Sequence, residues 1–344
     1  MAFSLLSRLS SKARQSVGLD IGSYAVKMVA VSGLPGKFTL ADSAISVLER
    51  DPQSPVPQPT MSKSIADLLG RSGLNLSDLR LSVSGKGVIV REVEMPRMSP
   101  EELRSSIKYE AELLLPFSLD DCIFDCHILD PGSEDRVKMK VLLAAARRSV
   151  VQNRLELLTD TGISPKVVSI DAIALVNAFW ATGRECSPDE TISLVNVGAA
   201  RSTLNIVSGM NLDLTRDIEV GGDRATISIA RGMGLDPKEA EKRKRDANPS
   251  MKEFVTPMIV ALVRELRSTF DYVSSKLNRQ VKEIYLSGGS SLLGGLKETL
   301  ASEFGIEVAH WDPLQGMLLP ERGVMHDAGG CEPMLAVAAG LAVS

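Results

Sequence analysis

The segment VGLDIGSYAVKMVAV at residues 17–31 has an echo later in the same chain. Laying Asp20 over Asn196 puts Gly22 on Gly198, and Val31, Ser32 and Gly33 on Val207, Ser208 and Gly209, at a constant offset of 176 residues. Both stretches read as strand, glycine turn, strand, with apolar alternation. Any two glycine-turn hairpins share part of this pattern, but internal self-similarity constrains architecture more than local propensity does. It predicts two related domains, each opening with a β-hairpin. The 344 residues, 44% of them hydrophobic, suffice for two domains with separate cores.

The remaining segments extend that scheme. FTLADSAISVL follows as a strand, DPQSPVPQP (51–59) as an exposed Pro-rich loop, and SKSIADLLGRSGL as an amphipathic helix closed by Gly73. Residues 80–150 have a rhythm of their own. Strand-rich RLSVSGKGVIVREVEMP precedes a helix marked by Ser99 as N-cap, Pro100 at the first helical position and Glu102 three residues after the cap. The strands CIFDCHILD and VKMKVLLAAARR, joined by the turn PGSEDR, complete a small α+β insertion. KVVSID reads as a strand ending at Asp171, before the helix AIALVNAFWATG. After the second hairpin come a largely helical region at about 223–279, the strand–turn–helix VKEIYLSGGSSLLGGLKETLASEFG, and a final helix, EPMLAVAAGLAV.

A net charge of -4, a pI near 5.6 and 4% aromatic residues argue against a nucleic-acid surface. Cys122, Cys126, Cys186 and Cys331 form no paired CxxC units and read as small buried residues in a reducing compartment. Cys122 and Cys126 share one face of a strand beside His127, but a metal site needs further convergent ligands. No apolar run approaches the roughly 20 residues that span a bilayer. MAFSLLSRLSSKARQ is interrupted by Arg8 and Lys12, unlike a signal peptide, so a cytoplasmic location is expected. Phe3, Leu5, Leu6 and Leu9 alternate with Arg8, Lys12 and Arg14, the pattern of a short interfacial helix on anionic lipid or of a frayed tail.

Three glycine motifs carry the chemistry. Backbone N–H groups at a tight turn cradle phosphate oxygens, and Gly22 and Gly198 leave room for that approach. Ser23 adds a hydroxyl and Lys27 a cation. Asp20 is placed to hold waters on a Mg2+ ion, which keeps most of its hydration. Gly288 and Gly289, between an apolar strand and a helix, permit close approach of a flat ligand or of a neighbouring helix. Each motif alone is ambiguous; DIGS, NVGAARS and LSGG in this order, followed by a last helix, are far more specific.

This order resembles the superfamily of actin, heat-shock chaperones and sugar kinases, in which two phosphate loops and an adenosine loop surround ATP. Within it, VGLDIGSYAVKMVAV, EMPRMSPEELRSSIKYEAELLLPF, VGGD and IYLSGGSSLLGGL look like the PilM family of type IV pilus assembly proteins, from about residue 17 to the end. The inserted block is similar to the insertion shared with the division protein FtsA, and unlike that of actin and MreB. The resemblance implies an α/β, actin-like (ribonuclease H-like) two-lobed fold. Residues 17–187 would form the first lobe with the α+β insertion at about 80–150. Residues 188–330 would form the second lobe with a helical part at about 223–279, and 331–344 would return to the first lobe.

Carried over by position, the resemblance implies a site for ATP and Mg2+. Asp20, Gly22, Ser23 and Lys27 would form the first phosphate loop, and Gly198, with Asn196 and Ser202, the second. Gly221, Gly222 and Asp223 would lie beside the ribose. Glu241 would meet ribose hydroxyls and Lys244 would lie by adenine; read alone, KEAEKRKRD is a solvated helix face. Gly288 and Gly289 would back the adenosine. Asn196 replaces the usual aspartate, and an amide takes no proton from water. Asp171 stands where the superfamily often has Glu and could still orient water. Binding with weak or absent hydrolysis is expected.

The family further implies a cytoplasmic scaffold beneath the inner membrane. The cytoplasmic tail of a PilN-like membrane protein would dock between the first lobe and the insertion. Other pilus assembly proteins and self-association are further expected contacts, with no nucleic acid and only indirect membrane association. Rival readings are an FtsA-like division protein, which normally has a C-terminal membrane helix after a linker, a small-molecule kinase, and the cytoplasmic domain of GspL, which continues into a transmembrane segment.

Overall fold

The computed structural model describes residues 15–34, 36–130, 138–184, 186–187, 189–245, 251–319 and 330–344. The basic and apolar N-terminal segment and the turn PGSEDR lie outside the described residues. In chain order the first half runs β1 (Ser16–Ile21), β2 (Ala25–Leu34), β3 (Lys37–Val47), α1 (Gln58–Ser72), β4 (Leu79–Val83), β5 (Val88–Pro96), α2 (Pro100–Leu114), β6 (Cys122–Asp130), β7 (Lys138–Arg147), α3 (Arg148–Glu156), β8 (Val167–Ile170) and α4 (Asp171–Ala181). The second runs β9 (Thr191–Val197), β10 (Ser202–Ser208), β11 (Asn211–Ile218), α5 (Asp223–Met233), α6 (Pro237–Arg245), α7 (Lys252–Leu277), β12 (Val281–Ser287), α8 (Leu296–Phe304), β13 (Glu307–His310) and α9 (Ala336–Val343).

The first sheet has the order β3-β2-β1-β4-β8, and the second contains β11-β10-β9-β12-β13. Both run third, second, first, fourth, fifth. In each, an antiparallel hairpin is followed by a strand parallel to its first member. The register repeats too: Asp20 faces Lys27 across the first hairpin, and Asn196 faces Thr203 across the second. A likeness visible in sequence over one hairpin therefore extends to the topology of two five-stranded units.

Helices α4 and α9 are apolar all round because they are covered on every side. Together with residues of both sheets they form one core, including Val29, Phe179, Leu194 and Leu341. Small residues let these elements touch. A Cβ on Gly340 would overlap the Ala174 carbonyl, and one on Gly18 would overlap that of Ala338. The C-terminal helix is thereby fixed against β1 and α4.

Strand β4, inside the segment expected as an insertion, pairs with β1 and β8. The chain therefore leaves the first sheet after Val83. β5, β7 and β6 then extend the second sheet beyond β11, through the bridge of Leu214 with Arg91. The capping box of Ser99 and Glu102 opens α2, whose Leu103, Ile107 and Ala111 pack on this ladder. Cys122 and Cys126 face that α2 core. Strand alternation turns His127 to the opposite face, along with Ile123 and Leu129. Among the described residues, no group of three or more His, Cys, Asp or Glu side chains could hold a metal ion. No described helix is long and apolar enough to cross a membrane.

Candidate functional site

At the first turn, the Gly22 N–H closes the hairpin on the Ala25 carbonyl at 3.1 Å. Behind it, Lys27 Nζ donates to Asp20 Oδ2 at 2.5 Å, with both side chains nearly buried. Burial raises the Asp20 pKa above its ordinary 3.8, and the Lys27 charge opposes that rise. Arg154 of α3 donates to the Ile21 carbonyl at 2.7 Å, holding a cation beneath the turn.

The second turn repeats the closure: the Gly198 N–H meets the Arg201 carbonyl at 3.0 Å. Its carbonyls are taken by the start of α5, Gly222 N–H on Gly198 at 3.0 Å and Asp223 N–H on Ala199 at 2.9 Å. Asn196 accepts a hydrogen bond from Ser287 Oγ at 3.2 Å. Gly288 has φ +84°, and a Cβ there would lie 2.5 Å from the Val197 carbonyl oxygen. Its N–H reaches Pro333 at 2.7 Å, tying the third glycine motif to the segment before α9.

These turns face one cleft of about 550 Å³. Asp20, Gly22, Ser23, Lys27, Asp171, Asn196, Gly198, Asp223, Gly288 and Gly289 all line it. Asp171 is the first residue of α4 rather than the last of a strand, so its carboxylate sits at a helix N-terminus, where negative charge is favoured.

Five of the expected residues lie elsewhere. Ser202 is fully buried and donates to the Val220 carbonyl at 2.6 Å, because strand alternation turns its side chain away from the cleft. Gly221 and Gly222 buttress the second turn from behind; a Cβ on Gly221 would overlap the Ala199 carbonyl. Glu241 binds Lys244 Nζ at 2.6 Å and Thr226 Oγ1 at 2.6 Å. Lys244 is buried against a separate cavity of about 280 Å³ lined also by Val255, Ile259 and Leu293. Burial lowers its pKa, and Glu241 restrains that fall.

Sequence reasoning missed several residues. The Pro-rich loop, though exposed, lines the cleft through Pro52, Gln53, Ser54, Pro55 and Val56. Arg50, just before it, makes an ion pair with Asp223 on α5, and both side chains are nearly buried. Burial raises the Asp223 pKa, against the lowering effect of Arg50. Arg245 donates to the Tyr24 hydroxyl, and its guanidinium lies 5.0 Å from that ring's centroid. Arg231 reaches Gln53 at 3.0 Å. Three contacts thus cross between the two halves at the cleft mouth. The 176-residue offset already pointed to Thr203, opposite Asn196; nothing local marked Arg50 or Arg154.

Pockets for small organic ligands commonly measure about 300–1,000 Å³. This one combines turn N–H groups and cations, suited to anionic oxygens, with a carboxylate suited to a hydrated cation. With no carboxylate cage among the described residues, a divalent ion would fit here only with its own waters and with oxygens of the bound ligand.

The family described as type IV pilus assembly protein PilM matches residues 18–344. The solved PilM-PilN type IV pilus biogenesis complex superposes with a TM-score of 0.84 at 27% identity, covering 97% of this chain and 100% of that one. The ethanolamine utilization protein EutJ from Carboxydothermus hydrogenoformans gives a TM-score of 0.57 at 14% identity, over 99% of this chain and 92% of its own. At that identity EutJ shares the fold alone, which is the actin-like one.

Proposed function

The chain belongs to the PilM family of type IV pilus assembly proteins, and we propose that it is a nucleotide-dependent docking scaffold for a PilN-like membrane protein. The observation that carries the nucleotide part is the convergence of two equivalent hairpin turns and a glycine pair on one cleft. The partner part is supported by the likeness to a chain solved in complex with PilN. In this reading, 17–187 and 188–330 act as two lobes, and the insertion supplies one wall of the groove that receives an inner-membrane protein's cytoplasmic tail. The protein then works at the cytoplasmic face of that membrane.

ATP with Mg2+ fits the residues present. Gly22, Ser23 and Gly198 would hold phosphates, with Lys27 supplying charge. Asp20 would order the metal's waters, and Gly288 and Gly289 would lie against the adenosine. The Mg2+ ion supplies charge neutralisation on the phosphates when bound. Asn196, hydrogen-bonded to Ser287, offers no carboxylate to accept a proton, so hydrolysis is slow. Asp171 is left to orient water. Asp223 reaches a ribose only if its pairing with Arg50 opens, and Glu241 and Lys244 contribute only if their mutual ion pair yields. Bound nucleotide biases the relative positions of the lobes, and through them the tail groove, as a shifted equilibrium.

Calorimetry with Mg-ATP tests the first half. One site per chain is expected, abolished in Gly289→Trp by filling the cleft beside Met334. Undiminished affinity in that variant removes the adenosine assignment. Pull-down with a PilN-like tail, lost on deleting 84–147 from a chain that still binds ATP, tests the second.

A further inference from the structure

The insertion leaves the first sheet at residues 84–87, yet its stem is hydrogen-bonded to the second. Gly85 N–H donates to Asp217 Oδ2 at 2.7 Å, and Thr203 Oγ1 donates to the other carboxylate oxygen at 3.2 Å. Asp217 belongs to β11, the strand that also carries Leu214, the residue bridged to Arg91 of the insertion. Over Gly85 lies the guanidinium of Arg201, so close that any Cβ at 85 would overlap it. Gly85 and Gly87 have φ of +85° and +96°, a conformation open to glycine and strained for other residues, so the stem turns at two points. Its return strand is tied in as well: Arg147 N–H donates to the Gly87 carbonyl at 2.8 Å.

Arg201 also belongs to the second turn. Its carbonyl closes that turn on Gly198, and the residue lines the cleft. One residue therefore touches both the candidate phosphate cradle and the stem of the insertion. Asp171 and Arg201 both act electrostatically on Asp217, which burial pushes toward its neutral form. The stem thus sits in the field of the cleft.

We propose that Arg201 and Asp217 are positioning residues that report the state of the second turn to the insertion. An anionic phosphate at Gly198 competes for the Arg201 guanidinium and draws it off Gly85. Asp217 then loses its neighbouring cation, the Gly85 amide loses its cover, and the stem is free to turn about Gly85 and Gly87. This rests on the nucleotide reading above, and it adds the route by which occupancy reaches the partner-binding wall.

Hydrogen exchange of the full chain, with and without saturating Mg-ATP, separates the two claims. Amides at 20–25 report nucleotide, and amides at 84–88 report the stem. In the wild type, exchange at 20–25 should slow while exchange at 84–88 quickens by about fivefold or more, the lower end of ordinary site-to-site coupling. In Asp217→Asn, 20–25 should still slow while 84–88 no longer responds. In Arg201→Gln, which loses a phosphate contact, Mg-ATP is raised until 20–25 slows, and 84–88 should still not respond, whereas Arg201→Lys should keep part of the response. Slowing at 20–25 with no change at 84–88 in the wild type overturns the inference and leaves the nucleotide reading standing. No change at either segment removes both. A wild-type response in both Arg201→Gln and Arg201→Lys shows that the guanidinium is not the reporter, and likewise overturns it. Should Arg201→Gln not fold, Gly85→Ala displaces the same contact from the other side and should abolish the same response.

Discussion

The two hairpin turns share one backbone geometry and differ in electrostatics: one carries an ion pair, the other does not. In the first, the cross-strand pair is Asp20 with Lys27, a buried ion pair facing the cleft. In the second, the matching pair is Asn196 with Thr203, and neither side chain is charged. The charge has moved one strand outward, to Asp217 on β11 and Arg201 at the end of the turn, where both engage the stem of the insertion. The turn closure is the same, glycine N–H to the carbonyl three residues on, at 3.1 and 3.0 Å. The backbone geometry is shared, while the side chains differ: the first turn pairs two charges at the cleft, and the charges beside the second meet the stem of the insertion.

The sharpest way to break that contrast is to restore symmetry. Asn196→Asp returns a carboxylate to the second turn, still able to accept from Ser287. A well-placed general base is worth about 10²–10⁴-fold in rate, so phosphate release under saturating Mg-ATP should rise by up to that factor. Brisk wild-type turnover that does not change in the variant would show that residue 196 does not limit hydrolysis.

Next in size are the glycines. A Cβ at Gly198 meets the backbone Arg201 oxygen at 2.7 Å, whereas at Gly22 the nearest atom is the flexible Lys27 Nζ at 2.8 Å, with backbone at 3.1 Å. Overpacking against rigid atoms costs about 1–3 kcal/mol. Gly198→Ala should therefore lower stability within that range, and Gly22→Ala by less, as read from urea midpoints at constant m-value. Equal losses would mean that the two turns are equally constrained.

Asp20→Asn should weaken Mg-dependent nucleotide affinity about tenfold, or ~1.4 kcal/mol. Binding measured in EDTA should change less, because the lost group serves the ion. The smallest effect is in pH. Since burial raises Asp20 above its ordinary 3.8, the carboxylate takes up its proton at a higher pH than a free Asp. Mg-dependent affinity should fall on acidification through that raised value, and Asp20→Asn should flatten the profile. For stability the sign is opposite: the raised pKa contributes stability below 3.8 that is lost as pH rises through the folded value. Asn196 has no such titration, so a profile unchanged in Asp20→Asn would assign it to another group.

The sequence by itself determined whatever depends on neighbours in the chain. The strand–turn–strand units, the capping box at Ser99 and Glu102 and the left-handed cap at Gly73 all follow from residues a few positions apart. The duplication was equally legible, because a constant offset carries a whole register with it. Only the tertiary structure decided where separate elements meet. It brought Arg50 across to Asp223, Arg245 to Tyr24, and Arg231 to Gln53. It also joined an insertion that leaves the first sheet to the edge of the second, through contacts as distant in sequence as Gly85 and Asp217. A local pattern sets backbone geometry and side-chain alternation, but it carries no record of which buried charge finds which partner. That choice follows from the packing of two sheets around α4 and α9, since a charge removed from water must be paired by whatever the fold has placed beside it.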